Sequence, residues 1–395
     1  MKSLYPASKI QWPEFLANLK SSAILGAIGL SMGAVPAQAA HRVHTAYDQQ
    51  VTTVAADRGA QQAISSAAIH PFATREQRAK AKPLAWKDDA EPASADDSAT
   101  QQLSPLLKQS RSSGGGSSRG LGNYLARTDF PMEWKSISQR EPQPASSPQN
   151  DNVIGPMDGA HYPFTRLLGN YYTSRWQAPP WNKIGKLYFT TPGGGSSYCT
   201  ANVASGNSVL ITAAHCVYTR GAGFNSNFVF VPAERYGAAP YGSYGWSSAS
   251  VLNNWISNGG RRWDVAVIRL SGERSSGRPV TDYVGWLGRA WNYGYSQYMY
   301  SIGYASNFST QYTNMCAGQT YDSGWEGTNV VVQGCDMTYG SSGGGWLMNY
   351  TPNSHGGNHV NSVVSGPHIG DFGRSYVGAR FNDDNIVPLC NAIGC

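Results

Sequence analysis

Apolar residues along this chain come in short runs, and most of those runs lie in its second half. Residues 187–191 are a β-rich run that stops at Pro192-Gly193-Gly194-Gly195. Residues 208–212, 227–231, 265–270, 330–332 and 360–365 repeat the pattern, and clusters of Gly, Asn and Ser separate them. Short runs rich in β-branched and aromatic residues, each closed by turn residues, predict strands. No long helical period of apolar positions is present, and no internal repeat is visible. Many short strands with frequent turns argue for an all-β barrel or sandwich over residues 153–395.

The first 152 residues have another texture. Lys2, Lys9 and Lys20 precede an uncharged stretch of small and apolar residues, 22–35, and Ala37-Gln38-Ala39 follows. A basic start, an apolar middle and an A-x-A site predict a signal peptide over residues 1–39. The apolar stretch falls short of the ~20 residues that a membrane span needs. Export is therefore expected, to the periplasm or the medium, with no span left after the signal is removed. Residues 40–152 are rich in Ala, Ser, Gln and Pro, and Ser112 to Ser118 form a Ser/Gly linker. A short helix is expected around residues 74–82. The rest reads as largely disordered in character. Its place between a signal and Val153-Ile154-Gly155-Pro156 makes it a propeptide or linker.

Composition adds limits. The 395 residues include 45 glycines and 12% aromatics, which suits a β-rich domain with many turns. The net charge is +6, and residues 153–395 carry 14 basic against 11 acidic side chains, net +3, with no basic block. That excludes a nucleic-acid footprint. All six cysteines, Cys199, Cys216, Cys316, Cys335, Cys390 and Cys395, fall in the second half. An even count in an exported chain predicts disulfides, with the connectivity open. No C-x-x-C pair occurs. The glycines of His355-Gly356-Gly357-Asn358-His359 argue against the helix that an H-x-x-x-H metal site needs, so both histidines read as loop residues and no metal is expected.

The chemistry centres on Gly340-Ser341-Ser342-Gly343-Gly344-Gly345. Glycine on both sides lets a tight turn hold a hydroxyl clear of the backbone. Such a turn can aim the N–H groups of Gly340 and Ser342 at one point, where an oxyanion could develop. Alone the stretch reads equally well as a surface loop. Thr212-Ala213-Ala214-His215-Cys216 and Trp263-Asp264-Val265-Ala266-Val267-Ile268 supply a base and a carboxylate upstream. A serine hydroxyl needs such a base, and the base needs a group to fix its tautomer.

These three motifs, in the order His215, Asp264, Ser342, resemble those of the chymotrypsin-like serine peptidases, most closely the bacterial V8-like, glutamyl endopeptidase branch. Ser341 stands where the animal enzymes have aspartate, and Gly345 where they have proline. The resemblance covers residues 153–395, and Val153-Ile154-Gly155-Pro156 is similar to the start of a mature enzyme of that branch. It implies two packed antiparallel six-stranded β-barrels, a His-Asp-Ser triad that needs no cofactor, and an oxyanion hole at the Gly340 and Ser342 N–H groups. It supports a Cys199–Cys216 bridge, with Cys316–Cys335 and Cys390–Cys395 as the remaining pairs. Asp336 lies six residues before Ser342, where the trypsin branch selects Arg or Lys, but the neighbouring cysteine is spaced differently. Residues 363–366 resemble the strand that lines the pocket, which brings in Ser365 and Gly366. Glutamate-selective relatives carry a histidine where Val364 stands, and His368 lies close by. Basic, acidic and broad specificity all remain open.

The reading is a secreted serine endopeptidase made as a preproprotein. It is monomeric, acts on protein or peptide substrates, and is a target for an activating protease. The alternative is a catalytically silent relative that binds a protein or a cell surface.

Overall fold

The computed structural model describes residues 42–43, 50–56, 71–86, 109–118, 162–168, 175–324, 327–369 and 373–395. The signal stretch, residues 1–39, and the expected start at Val153 lie outside the described residues.

Among the described residues five strands precede the barrels: β1 (Arg42–Val43), β2 (Val51–Ala55), β3 (Lys82–Pro83), β4 (Arg111–Ser113) and β5 (Phe164–Leu168). The first barrel starts with β6 (Ile184–Thr190), β7 (Ser196–Val203) and β8 (Val209–Thr212). A small ribbon, β9 (Tyr218–Thr219) with β10 (Gly223–Phe224), interrupts it. It then continues through β11 (Ser226–Pro232), β12 (Tyr244–Leu252) and β13 (Ala266–Glu273). The pairing order is β12-β11-β6-β7-β8-β13, and β13 pairs back onto β12. The sheet thus closes as a six-stranded antiparallel barrel. Closure removes the free edges that an open sheet would expose.

The connection passes through β14 (Gly288–Trp291) to the second barrel: β15 (Tyr298–Gly303), β16 (Asn314–Asp322), β17 (Val330–Gly334), β18 (Gly345–Met348), β19 (His359–Pro367) and β20 (Ser375–Ala379). Its order β18-β15-β16-β17-β20-β19 closes through β18 and β19. The helix Ile386–Ile393 follows, and Arg269 Nε of β13 donates to the Ile393 carbonyl at 3.0 Å, tying the carboxyl end to the first barrel.

Each run expected to be a strand is one, with no end shifted by more than three residues; 187–191, for example, lies within Ile184–Thr190 apart from its last residue. His355 lies in a turn, but His359 opens β19, which corrects its reading as a loop residue. The cysteines pair as 199–216, 316–335 and 390–395.

The disordered reading of residues 40–152 needs refinement where the chain is described. The expected helix is Arg75–Ala79, closed by a capping box between Thr74 and Gln77. Strand β2 lies along β12, with Val51 and Val54 buried. Strand β12 is nine residues long and meets β11 only at Tyr244, so its other half offers β2 an open edge. Strand β3 runs parallel to β7, β4 pairs with β14, and β5 pairs with β16. Composition missed these pieces because the stability of a short strand comes from the edge it joins rather than from its own content.

Candidate active site

Strand β8 ends at Thr212, and the chain turns through the single 3-10 turn Ala214–Cys216, which carries His215. Cys216 is bonded to Cys199 on β7 and pins that turn. Strand β13 neighbours β8, with Ala266 opposite Thr212. Asp264, just ahead of β13, therefore arrives beside His215. Its Oδ2 lies 2.8 Å from His215 Nδ1, and its Oδ1 accepts the His215 backbone N–H at 2.9 Å. The Ser365 hydroxyl donates to Oδ2 as well. Asp264 is 1% exposed. Burial pushes its carboxyl up, but the His215 ring and the hydrogen bonds from His215 and Ser365 outweigh that and hold it below the usual carboxylate range.

Ser342 comes from the second barrel, in the turn ahead of β18, and is fully buried. The turn is held against the first barrel. Thr200 of β7 donates its N–H to the Ser342 carbonyl at 2.8 Å and its hydroxyl to the Gly340 carbonyl at 2.8 Å. Asn202 donates to the Gly343 carbonyl at 2.8 Å and accepts the Gly345 N–H at 2.9 Å. Gly340 has φ +87°, and a Cβ there would lie 2.5 Å from the Tyr304 carbonyl oxygen. Gly343 has φ +77°, and a Cβ would lie 2.0 Å from Thr212 Oγ1. Only glycine meets both demands. Among the described residues, neither the Gly340 nor the Ser342 N–H donates to a backbone carbonyl. The Ser341 hydroxyl turns inward and donates to the Thr338 carbonyl at 2.6 Å.

The hydroxyl of Ser342 has a partner that the sequence did not point to. Trp86 Nε1 donates to Ser342 Oγ at 2.8 Å. His215 Nε2, by contrast, has no hydrogen-bond partner among the described residues. Trp86 also lines a cleft with Leu84, His215, Trp255, Arg261 and Ser365. The one hint in sequence was compositional: Phe72 and Trp86 are the only aromatic residues between positions 50 and 118. Thr200 and Asn202 left no sequence signal, because two polar residues in a strand read as a solvent face.

The pocket candidates separate. Ser365 faces Asp264. Gly366 lies under Arg261, whose Nη1 would be 1.9 Å from a Cβ there. Asp336 is ion-paired to Arg166 of β5, whose guanidinium stacks 4.6 Å from the Phe308 ring centre. His368 is 4% exposed, with its ring edge-on to Tyr162. Among the described residues two clusters of possible metal donors form, Cys199/His215/Cys216 and Cys316/Cys335/Asp336. In each, the two sulfurs are bonded to one another and are not thiolate ligands.

No family model matches the chain. It is similar to the extracellular metalloprotease of Bacillus subtilis (strain 168), with 30% identity over 110 residues, 28% of this chain and 33% of that protein. The chain thus spans about a third of the length of that curated relative. Among solved structures it is similar to the protease Anisep from Arthrobacter nicotinovorans, at 30% identity, 53% of this chain, 94% of that one and TM-score 0.47. A thermostable serine protease, AL20, from an extremophilic microorganism matches at 28% identity, 53% of this chain, 96% of that one and TM-score 0.48. A Glu endopeptidase matches at 19% identity, 58% of this chain, 95% of that one and TM-score 0.46. Two closed six-stranded antiparallel barrels are the fold of the chymotrypsin-like serine proteases, and in this chain the loops of its three motifs meet between them.

Proposed function

We propose that the chain is a secreted serine endopeptidase, made as a preproprotein, that cleaves peptide bonds through an acyl-enzyme. The observation that carries this reading is the pair of the buried Asp264 with the half-buried His215. The carboxylate takes both the ring Nδ1 and the backbone N–H, which leaves Nε2 as the free basic atom. In the reaction, the Ser342 hydroxyl adds to the carbonyl carbon of the scissile bond and its proton passes to His215 Nε2. His215 then gives that proton to the leaving amine, and Asp264 stabilises the imidazolium in between. Water repeats the sequence on the ester. The Gly340 and Ser342 N–H groups receive the oxyanion, each contributing about 3–4 kcal/mol where such donors have been removed in other enzymes. No cofactor enters these steps.

Protein or peptide substrates, an activating protease that cuts near Val153, and a monomeric enzyme complete the reading. Three disulfides fit an oxidising compartment outside the cytosol. Among the described residues no helix is long and apolar enough to cross a membrane. The test uses the processed protein, a fluorophosphonate probe and a peptide substrate. Labelling at Ser342 is expected, and Ser342→Ala should lose turnover by several orders of magnitude while keeping its fold. Unlabelled Ser342 in a folded, processed chain would favour the silent binder instead, and wild-type-like turnover in Ser342→Ala would refute the triad.

A further inference from the structure

The stretch 72–86 touches the enzyme along its whole length. Phe72 is fully buried and stacks on Tyr188 of β6, ring centres 5.6 Å apart. Arg78, itself buried, lies 3.5 Å from Glu234 and donates to the Gly237 carbonyl at 3.0 Å. Glu234 also faces Lys186 at 3.5 Å and accepts the Tyr188 hydroxyl at 2.6 Å, so the strap adds its cation to a carboxylate that already has partners in the barrel. Strand β3 then pairs with β7, and the Leu84 N–H extends the ladder to the Tyr198 carbonyl at 3.0 Å. The last anchor is Trp86. Its ring is 9% exposed, meets Tyr339 edge-on at 5.4 Å and joins the apolar cluster of the second barrel, which includes Met337 and Val364.

We propose that the apolar site beside Ser342, formed by Met337, Tyr339 and Val364, takes an aromatic peptide side chain, and that the chain fills it in cis with Trp86 and so keeps itself latent. This rests on the reading of Ser342 as the nucleophile. The geometry blocks chemistry in two ways. One lone pair of Ser342 Oγ is engaged by the indole N–H, while His215 Nε2 makes no hydrogen bond to the hydroxyl it would deprotonate. The indole N–H also stands 2.8 Å from Ser342 Oγ, where a substrate would have to present its carbonyl carbon. The Ser342 hydroxyl therefore has nothing to attack at its own plug. Phe72, Arg78, the β3 ladder and Trp86 hold the strap at four separate places, so cutting a bond near residue 152 leaves its contacts in place. The freed segment then leaves by dissociation or by further proteolysis.

The test compares the full chain, verified intact by mass, with the processed chain. The readout is the rate of fluorophosphonate labelling. The intact chain should label at least about tenfold more slowly, and Trp86→Ala in the intact chain should recover most of the difference, as truncation of a buried aromatic anchor does. A synthetic peptide of residues 72–86, at about 1 mM to match the local concentration a short tether supplies, should slow labelling of the processed chain. The same peptide with Trp86→Ala should not. This second arm does not require the variant protein to fold. Equal labelling of intact and processed wild type, or equal inhibition by both peptides, would overturn the proposal. If neither form of the chain labels, the nucleophile assignment falls, and the latency proposal falls with it.

Discussion

Arg166 sits on Asp336. The carboxylate whose position suggested recognition of a basic side chain thus carries an internal counterion, delivered by the strand β5 that pairs with β16. Burial pushes the Asp336 carboxyl up, and Arg166 pulls it back part of the way. A paired, half-buried carboxylate has little field left for a substrate cation. Asp336→Asn is therefore expected to leave the relative kcat/KM for Arg, Lys and neutral substrates within about threefold, a change smaller than the ~1–3 kcal/mol that a direct recognition contact supplies. Profiling the cleaved peptides of both forms checks it, and a collapse of cleavage after Arg or Lys in the variant would show that the pair opens for substrate.

Asp264→Asn tests the orienting role. The amide keeps the volume but can donate to the His215 ring and favour the wrong tautomer. We expect kcat to fall by about 10⁴-fold with the fold retained, the scale known for this change in a triad. The same residue gives an acid signature. Its pKa is depressed on folding, so its contribution is full above the ordinary carboxylate value of about 3.9 and is lost as pH falls through the lower folded value. Acid titration of the Asn variant should lack that loss.

Asn202→Ala removes one of the bridges between the barrels, leaving that of Thr200. The Gly343 carbonyl and the Gly345 N–H would each lose a buried partner. Each such loss costs about 1–3 kcal/mol. Thermal melting should show a drop of several degrees, and activity should fall further than stability alone explains, since the same bonds shape the turn that holds Ser342. An unchanged melting temperature would contradict this account.

Lys183 predicts alkaline behaviour. Its side chain is fully buried, and burial lowers its pKa to about 7. The unfolded chain keeps the ordinary value near 10.4, so it binds a proton that the fold does not between those limits. Stability should therefore climb as pH rises from 7 toward 10. Lys183→Met should flatten that climb. The carbonyls of Gly116 and Trp286, which accept the amine, also pair with each other's N–H, so the substitution leaves neither bare. Denaturant melts across that range give the slope, and an unchanged slope in the variant would assign the effect elsewhere.

The sequence by itself determined the elements and the chemistry that are local. The runs at 208–212 and 265–270 are strands because their β-branched and apolar residues suit a pleated, buried surface wherever they are placed. The turn at Gly340–Gly345 needs glycines for reasons of φ and contact. The His, Asp and Ser motifs carried a resemblance that named the fold. Several barrel strands escaped notice, because β16 carries Asn, Gly and Gln as well as apolar residues and becomes a strand through its neighbours β15, β5 and β17.

Tertiary structure alone decided what each side chain faces. Ser365, expected to line a pocket, lines the cleft and also donates to Asp264. Asp336 meets Arg166, which lies 170 residues earlier in the chain. Trp86 reaches Ser342 across 256 residues of sequence. A segment with so little apolar content cannot build its own core, and its order comes entirely from edges and pockets that exist only once both barrels have closed. No periodicity or composition within the described pieces encodes that dependence, which is why a stretch that reads as a spacer comes to lie against Ser342.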